Sequence, residues 1–123
     1  MVPRVLVVED HPTLRQHLAV LVQAMGAEVV GEAPDGAKAL QSAAALEPDV
    51  VLLDLSLPDA SGLDVLRQLR QLLPRSKVII LTAYEGGELR RVCLAAGAFA
   101  FVSKAQLRDE LEGALREATA VEA

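Results

Sequence analysis

Val50-Val51-Leu52-Leu53-Asp54 is a run of four apolar residues closed by a single acid. So short and so uniformly apolar a run fits a β-strand covered on both faces, the condition of a central strand in a parallel sheet. Three further runs have the same build: Val5-Leu6-Val7-Val8 before Glu9-Asp10, Val78-Ile79-Ile80-Leu81 before Thr82, and Phe99-Ala100-Phe101-Val102-Ser103 before Lys104. If all four are parallel strands, three carboxylates, a hydroxyl and an ammonium converge at one edge of one sheet.

Between these runs lie segments of helical period. Leu14, Leu18, Leu21, Val22 and Met25 recur at helical spacing and stop at Gly26. A weaker strand is expected from Glu28 to Gly31, then an alanine-rich helix from Ala37 to Leu46, opened by Asp35-Gly36 and stopped before Pro48. After the central strand, Ser61-Gly62-Leu63-Asp64 has the form of a capping box, and Leu63, Leu66, Leu69 and Leu73 line a helix that Pro74 ends. A fourth strand is expected from Lys77 to Leu81, followed by a helix lined by Leu89, Val92, Cys93 and Ala96 and closed by Gly97. A fifth strand, Ala98 to Val102, and a last helix marked by Leu107, Leu111 and Leu115 complete the pattern.

Five strand and helix pairs with short connections predict an α/β fold, a doubly wound parallel sheet of five strands with five helices on its two faces, joined by right-handed crossovers. In such sheets ligands sit beyond the carboxyl ends of the strands. That is the edge assigned to Glu9, Asp10, Asp54, Thr82 and Lys104.

Bulk properties narrow the function. A chain of 123 residues suits one domain, expected over residues 1–120 with 121–123 as a tail, and Arg116 to Ala123 reads as the start of a linker. The formal charge of -5 opposes direct nucleic-acid binding, and Tyr84, Phe99 and Phe101 are too few aromatics for a base-stacking platform. The lone Cys93 excludes an internal disulfide and fits a reducing compartment. With neither a signal-peptide pattern nor a membrane-length apolar run, a cytoplasmic protein with no membrane contact is expected.

The converging groups suggest their own chemistry. Two carboxylates about 4 Å apart repel by roughly 4 kcal/mol at an effective dielectric near 20, so a third demands a counter-charge. Mg²⁺ prefers oxygen ligands and is held by one or two carboxylates together with substrate phosphate. Glu9, Asp10 and Asp54 are the candidate metal ligands, joined by a backbone carbonyl such as that of Ser56. Asp54, closing the central strand, is the best-placed nucleophile for an aspartyl phosphate. Lys104 would pair with phosphate oxygens and Thr82 would donate its hydroxyl to one.

In order and spacing, Val7-Val8-Glu9-Asp10-His11-Pro12, Leu52-Leu53-Asp54-Leu55-Ser56-Leu57-Pro58, Leu81-Thr82-Ala83 and Phe101-Val102-Ser103-Lys104 resemble the receiver domain of bacterial two-component response regulators, over essentially the whole chain. The likeness is strongest to receivers that precede a helix-turn-helix DNA-binding domain of the NarL/FixJ type. This resemblance implies strand order 2-1-3-4-5 and Mg²⁺-dependent phosphoryl transfer to Asp54 from a histidine kinase or phosphotransfer protein. It further implies an output through the fourth helix, fifth strand and fifth helix, and is compatible both with a single-domain regulator and with a receiver cut from a longer chain that carries a C-terminal DNA-binding domain and forms a homodimer on phosphorylation. Thr82 and Phe101 become a switch pair in which Phe101 turns inward as Thr82 moves; Ser56 and Tyr84, each two residues past a key position, read equally as positions that tune phosphoryl lifetime and as surface filler. One departure stands out: Ala105 follows Lys104, where many members have proline and a cis peptide.

Each residue also has a plainer account. A single carboxylate at a strand end is often a solvated turn or a helix cap. Phe101 reads first as core, Cys93 as a small hydrophobe on a helix face, and His11 as a solvated loop residue poorly suited to Mg²⁺. Coincidence is a poor account of all five strand-end groups together. Two other functions share parts of the pattern. A haloacid-dehalogenase-like phosphohydrolase would need Asp-x-Asp, which Asp54-Leu55-Ser56 lacks, and a non-phosphorylated interaction module of receiver shape would lack an acid or the lysine. The set favours a switch over an enzyme.

Overall fold

The computed structural model describes residues 2–84 and 86–120. Its elements alternate as read from the sequence: β1 (Arg4–Val8), α1 (Pro12–Ala24), β2 (Glu28–Ala33), α2 (Gly36–Leu46), β3 (Val50–Asp54), α3 (Gly62–Leu72), β4 (Lys77–Thr82), α4 (Gly87–Ala95), β5 (Ala100–Ser103) and α5 (Leu107–Ala118). A 3-10 turn, Lys104–Gln106, joins β5 to α5. All strand pairs are parallel, in the order β2-β1-β3-β4-β5. The strand order is the one expected from the sequence, with β3 at the centre of the sheet.

Alternation along the strands builds two separate cores, because successive side chains leave opposite faces. Leu6, Val8, Val51, Leu53, Val78, Ile80 and Phe101 meet α2, α3 and α4 through Ala39, Ala43, Val65, Leu66, Leu69 and Cys93. Val5, Val7, Val50, Leu52, Ile79, Leu81 and Val102 meet α1 and α5 through Leu18, Val22, Leu111 and Leu115. Every residue of β3 is buried. Each large side chain buried there is worth roughly 1.5–3 kcal/mol, so the strand bearing Asp54 is the most firmly seated.

The boundaries differ from the sequence reading for local reasons. β2 continues past Gly31 to Ala33, paired with β1 on both sides of a register shift that leaves Val30 without a partner residue in β1. Gly31 is kept inside the sheet by close packing, since a Cβ there would lie 2.8 Å from Leu46 Cδ1 and 3.2 Å from Leu6 Cδ1. β5 begins at Ala100 rather than Ala98, because Ala98 N–H still donates to Cys93 O across the Gly97 turn, where φ is +105°. Ser61 stands at the N-cap of α3, yet its side chain makes no capping hydrogen bond. Its backbone pairs instead with Ser56 across the loop. Arg116 to Ala118 form the last turn of α5, and the tail expected at 121–123 lies outside the described residues. The Lys104–Ala105 peptide is trans.

Candidate functional site

Strand register assembles the site. Val8 pairs with Leu53, Asp54 with Leu81, and Thr82 with Ser103, so Glu9, Asp54, Thr82 and Lys104 follow one another along the carboxyl edge. Glu9 and Asp54 are buried, with 1% and 2% exposure, Thr82 is buried beside them, and Asp10 is exposed at the mouth. One carboxylate oxygen from each of Glu9, Asp10 and Asp54 lies within 4.8 Å of the others.

The Lys104 ammonium joins two of these acids. Its Nζ donates to Glu9 Oε1 and to Asp54 Oδ2, both at 3.0 Å. The second oxygens are held by main-chain donors: His11 N–H reaches Glu9 Oε2 at 3.2 Å, and Ser56 N–H reaches Asp54 Oδ1 at 3.0 Å. His11 therefore serves through its amide rather than its imidazole.

Charge in the cluster remains unbalanced, with three carboxylates facing one ammonium. Burial and the neighbouring Asp54 carboxyl push the Glu9 carboxyl up to about 7, against the pull of Lys104. Burial alone would lower the Lys104 ammonium, but its bonds to Glu9 and Asp54 outweigh that and hold it above its ordinary value. An acid that retains its proton this readily marks a place short of positive charge. The all-oxygen donor set of Glu9, Asp10 and Asp54 could hold a small hard cation, and it suits Mg²⁺ better than a softer metal.

The remaining expected residues flank the cluster. Thr82 Oγ1 accepts from Tyr84 N–H at 3.1 Å, bracing the turn after β4. Phe101 is buried at 8% exposure and belongs to the core cluster on the α2, α3 and α4 side of the sheet. Tyr84 is 66% exposed and Ser56 is also exposed.

Three contributors were not foreseen from the sequence. Arg15 Nη1 donates to Glu9 O at 2.9 Å, while its Nε lies 3.4 Å from Glu32 Oε1, bracing the turn after β1 against β2. Arg15 N–H also bonds His11 O in the first turn of α1, and that one-turn spacing was the available signal. Asp59 accepts from Gly36 N–H at 2.7 Å and Ala37 N–H at 3.0 Å, a contact between distant segments that no local pattern announces.

Comparisons with known proteins agree with this geometry. A family model described as the response regulator receiver domain matches residues 5–116. A putative transcriptional regulator of Pseudomonas aeruginosa is 41% identical over 108 residues, covering 88% of this chain and 52% of that protein. The transcriptional regulatory protein LiaR of Bacillus subtilis is 33% identical over 117 residues, covering 94% and 56% respectively. The chain thus spans about half the length of these curated relatives. Among solved structures, a LuxR-family two-component response regulator from Aurantimonas superposes with a TM-score of 0.90 at 30% identity, over 95% of this chain and 84% of that one. The signal receiver domain of the putative response regulator NarL from Mycobacterium tuberculosis superposes with a TM-score of 0.84 at 35% identity, over 94% of each chain.

Proposed function

This chain belongs to the response regulator receiver domain family, and from that premise we propose that Asp54 accepts a phosphoryl group in a site completed by Mg²⁺ and Lys104. The observation that carries the proposal is the Lys104 ammonium at 3.0 Å from both Glu9 and Asp54, with Asp10 at the open side.

The donor is a phosphohistidine of a kinase or phosphotransfer protein. An Asp54 carboxylate oxygen forms the new bond to phosphorus as the P–N bond breaks. The bonding pair returns to the imidazole nitrogen, which takes a proton from solvent. Glu9, Asp10, Asp54 and the Ser56 carbonyl would hold the cation, which when bound neutralises charge on the acids and the transferring group. Lys104, already on Asp54, is placed to shift its ammonium onto a phosphoryl oxygen. Thr82 gains an anionic acceptor once the group has arrived, while Ser56 and Tyr84 stand where they can hinder or admit the water that ends the state.

The output is a change of conformation and not turnover. A hydrogen bond to a charged group is worth roughly 1.5–3 kcal/mol, whereas a shift from 1:99 to 99:1 needs about 5.5 kcal/mol. Thr82 therefore shares the work with Lys104, the cation and packing around Phe101. Because relatives at this identity are transcriptional regulators about twice as long, the change would be read by a DNA-binding domain and by a second copy of the chain, in the cytoplasm. Among the described residues no helix is long and apolar enough to cross a membrane. A phosphohydrolase reading is disfavoured by Ser56, which stands where a second acid would act.

The test is intact mass after incubation with a small acyl phosphate and Mg²⁺. The parent is expected to gain one phosphoryl group and Asp54→Asn none. An unchanged parent mass, or equal labelling of the variant, rejects the proposal.

A further inference from the structure

We infer that Asp59 is a positioning residue that holds the loop between β3 and α3, and with it the Ser56 carbonyl, in register with the acids of β1. The inference rests on the reading of the acidic site as a Mg²⁺ site.

The loop is closed at its base and clamped at its tip. At the base, Gly62 N–H donates to Leu55 O at 3.2 Å, and a Cβ on Gly62 would lie 2.4 Å from Leu55 Cα, so the two backbones touch. Ser56 pairs with Ser61 across this neck, and Ser56 N–H is bonded to Asp54. Asp59 sits beyond the neck. Its two carboxylate oxygens take the amides of Gly36 and Ala37, the first residues of α2.

Helix α2 has an N-cap of its own in Asp35, whose side chain accepts from Lys38 N–H at 2.8 Å, and Asp59 takes the two preceding amides from another segment. What the second aspartate adds is a connection between distant parts of the site. The segment leading into α2 is fastened to β1, since Glu9 N–H donates to Ala33 O at 3.0 Å. Asp59 thereby ties the loop bearing Ser56 to the segment that fixes Glu9. The approach is close: a Cβ on Gly36 would meet Val65 Cγ2 at 3.0 Å, Ala60 Cβ at 3.1 Å and Asp59 Oδ1 at 3.3 Å. Mg²⁺ tolerates little departure from octahedral geometry at about 2.0–2.1 Å. A carbonyl ligand on a loop loosened at its tip would therefore lose affinity before the fold loses integrity.

The experiment is a Mg²⁺ titration followed by backbone amide shifts, with acyl-phosphate labelling rates at limiting and saturating Mg²⁺ and thermal melts of each protein. Asp59→Ala is expected to raise the Mg²⁺ Kd roughly 10-fold, the low end for outer partners of metal ligands, and to slow labelling at limiting far more than at saturating Mg²⁺. Asp59→Asn, which keeps one oxygen acceptor, is expected to fall between, and it carries the comparison if Asp59→Ala melts below the working temperature. A purely structural role would lower Tm and leave the Kd where it is. Folded variants with the parent's Kd overturn the inference alone, whereas a parent that does not respond to Mg²⁺ overturns the site reading and this inference together.

Discussion

Lys104 Nζ lies 3.0 Å from Asp54 Oδ2 although the two residues are 50 positions apart in the chain. The same nitrogen is 3.0 Å from Glu9 Oε1, at a separation of 95 positions. One ammonium thus joins the ends of β1, β3 and β5 and balances partly buried charge on two acids.

Removing that ammonium should cost stability in a way a cation can restore. Lys104→Met leaves Glu9 and Asp54 facing each other, and breaking a buried pair costs about 3–5 kcal/mol. Because the Lys104 side chain is 24% exposed, a loss of roughly 1–3 kcal/mol is expected after solvent screening. Thermal melts at neutral pH should place the variant below the parent without Mg²⁺ and narrow the gap when Mg²⁺ is added. A gap that Mg²⁺ does not alter would contradict the charge-balance account.

Thr82→Ala should separate labelling from response. Thr82 Oγ1 is buried and accepts from Tyr84 N–H, while the Lys104 to Asp54 bond runs from Nζ to Oδ2. Phosphoryl uptake is expected to persist, with the amide-shift changes of α4 and α5 lost. A hydrogen bond to an anion is worth roughly 1.5–3 kcal/mol, enough to remove most of a modest population shift. Shift changes equal to the parent's would refute the coupling.

Gly62→Ala is expected to be strongly unfavourable for a change of one methyl group. The new Cβ would meet backbone atoms of Leu55 at 2.4, 2.6 and 2.9 Å, and backbone cannot step aside as a side-chain tip can. A cost of about 1–3 kcal/mol is expected for such overpacking. Denaturant unfolding measures it, and a midpoint unchanged from the parent would show that the neck of the loop is looser than its geometry implies.

Asp59 should reveal itself in acid. The amides of Gly36 and Ala37 hold its carboxyl below the ordinary 3.8. A carboxyl lowered on folding contributes stability above its unfolded pKa and loses it as pH falls through the folded value. The Tm difference between parent and Asp59→Ala should therefore be steady near neutrality and shrink below pH 3.8. A difference independent of pH down to the acid transition would mean that the carboxylate charge takes no part.

The legibility of this protein followed the range of its interactions. The central β3 was readable because double burial leaves a chain no choice but apolar residues, Val50 to Leu53, and the strand-end groups stood out against that background. Ends set by tertiary contact were less readable. β2 runs past Gly31 because its partner strand does, and β5 starts late because the turn at Gly97 retains Ala98. Ser61 had the letters of a cap but lends its backbone to the loop neck instead.

From the sequence alone came the alternation of strands and helices, the parallel sheet, and the gathering of Glu9, Asp10, Asp54, Thr82 and Lys104 at one edge. Those follow from periodicity and from chain direction, which every short segment carries within itself. The tertiary structure decided which partner each group takes: Lys104 shared between two acids, Glu9 pushed up to about 7 by burial beside Asp54, Phe101 buried in the core, and Asp59 reaching across to α2. Hydrogen bonds and desolvation depend on distances of a few ångströms between segments tens of residues apart, and no local pattern encodes such distances.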